Sequence, residues 1–195
     1  METLREPIFN LPPATMILLL LLCALHAAAV VLSWDVAQFA FDPNAFWAAP
    51  VAPQNVLSLF TYQFFHVSWL HLAVNAGSLL AFGSAMERIT GPIWFPILYL
   101  ACGVIAALVQ AAVMPVGVMI GASGAISGAM GFALWRMMRR PKMRLQLIIL
   151  MAVVQPVMAW AAGNSLGGEI AWVAHLAGFA AGVIMAICWP KNSPA

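Results

Sequence analysis

Charge is what this 195-residue chain has least of: eight Lys or Arg and six Asp or Glu make up 7% of it, against 64% hydrophobic residues. Water-soluble domains carry about 25% charged residues, so a soluble globular protein is a poor reading. A chain of this length also has too little interior to hide so much apolar surface. Cysteine is scarce as well. Cys23, Cys102 and Cys188 fall in three separate apolar windows with no CxxC pair, which argues against a disulfide framework or a zinc ribbon. Internal repeats, low-complexity tracts and soluble appendages are missing too, so one membrane domain over 1–195 is the expected organisation.

What is present is apolar sequence in long runs. Six uncharged windows stand out, 14–34, 64–86, 93–114, 119–135, 145–162 and 170–189. A helix needs roughly 17–25 such residues to cross the hydrocarbon core, and each window meets that length. The expected fold is an all-α membrane protein, a bundle of six transmembrane helices embedded in a lipid bilayer. Arg5, Arg88, the cluster Arg136, Arg139, Arg140, Lys142 and Arg144, and Lys191 all fall on one face of such a bundle. The positive-inside rule makes that face cytoplasmic and both termini with it. A cleaved leader over the first window is the competing reading. Its apolar stretch exceeds the usual leader core, and Glu2 and Glu6 dilute the positive end. The connection 35–63, with its prolines and aromatics, is too broken to span and reads as an interfacial outer loop.

Three windows carry concentrated polar residues: His66, His71 and Asn75 on the second, Ser123 and Ser127 on the fourth, His175 on the sixth. Polar groups inside a membrane are costly without partners or water, so they are functional candidates. Their depths can be counted from the cytoplasmic charges. Ser123 lies 13 residues before Arg136, His175 16 before Lys191, and Asn75 and His71 12 and 16 before Glu87. At 1.5 Å per residue these heights are roughly 18–24 Å, one shared layer in a core about 30 Å thick.

A serine beside a histidine is a nucleophile with its general base if the two helices pack closely. Gly124 and Gly128 on one helix, and Gly178 and Gly182 on the other, have the GxxxG spacing that lets membrane helices touch. Ser123 opens its helix, so its backbone N–H and its neighbours' are donors for an oxyanion. His71 and Asn75, four residues apart on one face, are further donors. No Asp or Glu lies in a span at this depth, the nearest being Glu169 at the outer rim, which leaves a Ser–His dyad. Singly, each feature has a bland reading: Ser123 as a helix cap, the glycines as packing, His175 and His26 as hydrogen-bonded core residues. A metal site is disfavoured because no HxxxH or HExxH spacing occurs. The segment is not a hydrolase elbow either, since Ala125 stands where GxSxG needs its last glycine.

Together these motifs resemble those of the rhomboid intramembrane serine proteases, in the minimal six-helix form, over roughly residues 14–189. His66-Val67-Ser68-Trp69-Leu70-His71-Leu72-Ala73-Val74-Asn75 is similar to the family's second-helix motif, which implies an oxyanion role for His71 and Asn75. Gly121-Ala122-Ser123-Gly124 resembles GxSG and implies Ser123 as nucleophile. Ala174-His175 with Gly178 and Gly182 resembles AHxxGxxxG and implies His175 as base. Glu87 with Gly91 is similar to a stretch of structural role, and His66, Gly121, Gly124, Gly128, Gly178 and Gly182 are expected to support the site. Two departures are visible: the first outer loop lacks the Trp-Arg pair of several members, and Ser127 stands where some place an aromatic beneath the base. The resemblance implies a serine endopeptidase acting on transmembrane protein substrates, without cofactor, metal or nucleic acid, in a bacterial cytoplasmic membrane. An inactive relative that binds client transmembrane helices is the alternative.

Overall fold

The structure is a computed structural model and describes residues 11–115, 117–138, 140–166 and 171–190. Both chain ends, Arg139, Glu169 and Lys191 lie outside the described residues, and with them the expected placement of the termini. Among the described residues the protein is helical, with no strand beyond a single bridge between Phe41 and Met119.

Helix α1, Pro13–Val31, starts on a proline whose fixed φ suits a first helical position. Its end lacks a cap of its own and borrows one. Glu87 accepts the N–H groups of Ala14 (2.9 Å) and Thr15 (2.6 Å) and the Thr15 hydroxyl (2.7 Å). The outer loop follows with two short helices, α2 (Pro43–Ala48), capped by Asp42, and α3 (Pro53–Thr61). The second apolar window is not continuous helix. Residues 65–68 break it, Ser68 accepts the His71 N–H (3.2 Å), and α4 runs Trp69–Ser78. A π-helical turn, Leu79–Gly83, then leads into α5, Ser84–Thr90. Next come α6 (Trp94–Val113), α7 (Ser123–Met137), α8 (Pro141–Leu166) and α9 (Trp172–Cys188).

The sequence predicts six crossings. Among the described residues α1 and α6 alone are long and apolar enough to cross, and a third crossing follows if the pair Pro53–Phe64 and Trp69–Thr90, bent by 79°, counts as one span. In the fourth and sixth windows α7 has 15 residues and α9 17, both shorter than a full crossing. At 1.5 Å per residue, the 15 residues of α7 rise about 22 Å. Large apolar side chains face outward along the helices, among them Ile17, Val74, Ile97, Ile105, Ile184 and Ile187, as lipid contact requires.

The core lies where α7 meets α6 and α9. Glycines determine that spacing: a Cβ on Gly178 would run into the Gly124 carbonyl, one on Gly182 into the Gly128 carbonyl, and one on Gly131 into the Phe179 carbonyl. The two helices therefore touch backbone to backbone, which only residues without side chains permit.

Candidate active site

Ser123 is the first residue of α7, and Ile126 is the first whose N–H bonds back to the Ala122 carbonyl, at 3.0 Å. The N–H groups of Ser123, Gly124 and Ala125 thus lie in the turn that has no intrahelical acceptor. His175 stands in the first turn of α9. Its Nε2 is 2.8 Å from Ser123 Oγ, across 52 residues of sequence. The close glycine contact of α7 with α9 lies directly beneath this pair and makes the distance possible.

The chain reaches Ser123 through Gly121, whose φ of +125° suits a glycine. The His71 ring lies over it, since a Cβ there would stand 2.7 Å from His71 Cε1 and 2.8 Å from Nε2. His71 and the Ser123 segment are thereby brought together. Asn75 is buried nearby on α4, but its amide Nδ2 donates to the His71 carbonyl of its own helix at 2.9 Å. One of its two amide protons remains for another acceptor. Ser127 is buried one turn deeper on α7. His66 is 1% exposed, and neither ring nitrogen has a hydrogen-bond partner among the described residues; its ring meets His71 edge-on, with centroids 5.1 Å apart. His26, which the sequence leaves without a polar neighbour, lies edge-on to Trp69 and near His66, with centroids 4.5 and 6.5 Å away. No group of three or more His, Cys, Asp or Glu is placed to hold a metal among the described residues.

Several residues that hold this arrangement are not legible in the motifs. Tyr62 accepts the Gly121 N–H at 2.9 Å through its carbonyl and donates its hydroxyl to the Gly103 carbonyl at 2.8 Å. Phe41 and Met119 exchange two backbone hydrogen bonds, of 2.9 and 2.8 Å, tying the outer loop to the segment before Ser123. Trp47 donates to the Ala111 carbonyl at 2.8 Å, and Phe39 stacks on Phe65 at 3.9 Å. The loop without arginine is therefore held by backbone pairing and aromatic contacts. Gln110 links α6 to α9 through the Ala174 N–H. In the sequence Gln110 is a lone amide inside the third apolar window.

A Rhomboid domain is matched over residues 53–192, most of the chain. The protein belongs to the rhomboid family. The match begins at Pro53, the first residue of α3, and leaves α1 and α2 outside it. The chain is also 29% identical over 147 residues to "Presenilin-associated rhomboid-like protein A, mitochondrial" of Danio rerio. That likeness covers 73% of this chain and 36% of the relative, so this rhomboid spans little more than a third of the relative's length. Rhomboid membership and the apolar helices make this a membrane protein. The relative's name places that protein in mitochondria, which gives no support to a bacterial membrane in particular.

Proposed function

We propose that this rhomboid is a serine endopeptidase that hydrolyses peptide bonds in or beside the transmembrane helices of other membrane proteins. The observation that carries this reading is the 2.8 Å approach of His175 Nε2 to Ser123 Oγ between two apolar helices. A nucleophile and its base within hydrogen-bond reach are the minimum for acyl transfer.

In this reading His175 takes the Ser123 hydroxyl proton as Oγ bonds to the scissile carbonyl carbon. The carbonyl oxygen, now negative, is received by the Ser123 N–H, by His71 over Gly121 and by the remaining amide proton of Asn75. Collapse breaks the C–N bond, and His175 gives its proton to the leaving amine. A water then attacks the acyl-enzyme, with His175 again as base, and releases Ser123. The substrate helix must locally unwind first, because an intact helix occupies its carbonyls with its own hydrogen bonds. His66, Glu87, Gly121, Gly124, Gly128, Gly178 and Gly182 act by support: Gly124, Gly128, Gly178 and Gly182 set the α7–α9 distance, Gly121 makes room for the His71 ring, and Glu87 ties α5 to the start of α1.

The proposal extends to the whole chain as one membrane domain of six spans, with both termini on the cytoplasmic side and the dyad open to water from the other. The basic cluster at the α7–α8 connection and the Lys- and Arg-free outer loop support that orientation. The test is cleavage of a generic transmembrane substrate by purified protein in detergent, compared with Ser123→Ala. Product from the wild type alone is expected. A folded wild type that binds the substrate without cleaving it would favour the client-binding alternative instead.

A further inference from the structure

We propose that Gln110 is a positioning residue for His175: it takes the place of an N-cap for α9 and so holds the base at the bonding distance from Ser123. The inference rests on the dyad reading above.

Helix α9 opens without a cap of its own. Ala171 occupies the cap position and makes no side-chain hydrogen bond, while His175 lies only four residues further on. The N–H groups of such a first turn have no intrahelical acceptor. One of them, at Ala174, is accepted by Gln110 Oε1 at 3.1 Å, from a helix 64 residues earlier in the chain. The other end of the same amide is also used. Gln110 Nε2 donates to the carbonyl of Met114, the cap residue at the end of α6, at 2.8 Å. Gln110 is 1% exposed, so neither bond competes with bulk water. One side chain therefore closes the end of α6 and the beginning of α9 together.

The end of α6 is a fixed point to work from. Trp47 of the outer loop donates to the Ala111 carbonyl there, and the Met114 N–H bonds back to the Gln110 carbonyl at 2.8 Å. Below the site, the glycines resist closer approach of α7 and α9, but backbone contact alone does little against sliding or rotation about the helix axis. A directional hydrogen bond at the residue beside His175 opposes both.

A cap that served only to stabilise would change melting temperature and leave turnover intact, so the test must read chemistry. Gln110→Met keeps the length and removes both hydrogen bonds. Gln110→Asn keeps the amide and falls one methylene short. Gln110→Glu keeps an oxygen that reaches the Ala174 N–H. Each full-length variant, purified in detergent, is assayed for kcat and KM on a transmembrane substrate and for the rate at which a fluorophosphonate labels Ser123. Misplacing a catalytic group by about 1 Å can cost a factor of about 100, so Gln110→Met and Gln110→Asn should lose about ten- to a hundredfold in kcat with KM unchanged. Labelling should slow in the same proportion, and Gln110→Glu should recover most of the rate. Should Gln110→Met fail to fold, Gln110→Asn, which keeps a polar amide at the site, carries the comparison. Wild-type kcat in the folded Met or Asn variant, or no recovery in Gln110→Glu, overturns the inference while the protease reading stands. A folded wild type that neither cleaves nor takes the label overturns both.

Discussion

Two serines four residues apart on α7 have different surroundings, and this difference makes the assignment testable at single residues. Ser123 begins the helix, among N–H groups without an intrahelical acceptor and 2.8 Å from His175. Ser127 is buried a turn further in. Ser123→Ala should abolish cleavage with the fold intact, whereas Ser127→Ala should retain it; turnover in Ser123→Ala at the wild-type rate would sink the nucleophile. The oxyanion donors should behave in a graded way. Removing one typically costs a factor of about 10²–10³ in turnover. His71→Ala should fall in that range. Asn75→Ala should lose less, because one of its amide protons already serves its own helix at the His71 carbonyl. Both should act on kcat and leave KM nearly constant, and an Asn75→Ala loss larger than that of His71→Ala would reverse this ordering of the donors.

Among elements, the α7–α9 contact and the start of α1 carry most of the structural demand. A side chain on Gly178 or Gly182 meets a carbonyl of the facing helix, which cannot rotate away as a flexible side chain would. Overpacking of this kind typically costs about 1–3 kcal/mol. Gly178→Val should therefore both lower Tm and slow turnover, since moving α9 outward moves His175. Glu87→Ala should behave differently. It strands the buried Thr15 N–H and hydroxyl, at about 1–3 kcal/mol for each group left unsatisfied. Tm should drop, while kcat of the protein that remains folded should stay near wild type, because the bonds lost are those at Ala14 and Thr15, at the start of α1. A thermal melt beside an activity measurement separates the two cases.

These elements also show what a sequence can and cannot reveal. The GxxxG pairs around Ser123 and His175 are legible because close helix packing demands small residues at a fixed period. The same packing accompanies the 2.8 Å approach of His175 to Ser123. Glu87 is legible only as something structural. Its partners are the N–H groups of Ala14 and Thr15 and the Thr15 hydroxyl, more than 70 residues away, and two of the three are backbone groups that leave no mark on composition. Gln110, Tyr62 and the Phe41–Met119 pairing escape notice for the same reason: each bonds to main chain. Asn75 fits the expected helix face, yet its back-bond to His71 depends on a rotamer that spacing does not specify.

At the scale of the whole molecule, apolar windows locate the helices well but overstate their continuity. The second window contains a break before Trp69 and a π-helical turn after Ser78, because Ser68 caps a new helix inside it. In the fourth window the helix begins only at Ser123. The orientation rests on the basic residues. Gln38→Cys in the outer loop and Lys142→Cys at the start of α8, each exposed and each in a background without the native cysteines, should label from opposite faces of a sealed vesicle. Labelling from the same face would contradict the proposed topology.

The central claim is that Ser123 is a nucleophile activated by His175, and covalent capture tests it most directly. Purified full-length protein in detergent is treated with a fluorophosphonate, and the adduct is located by peptide mass spectrometry. A single adduct on Ser123, absent from folded His175→Ala protein, is the predicted result. A folded wild type that takes no adduct, or an adduct on Ser123 that forms equally fast in His175→Ala, would contradict it.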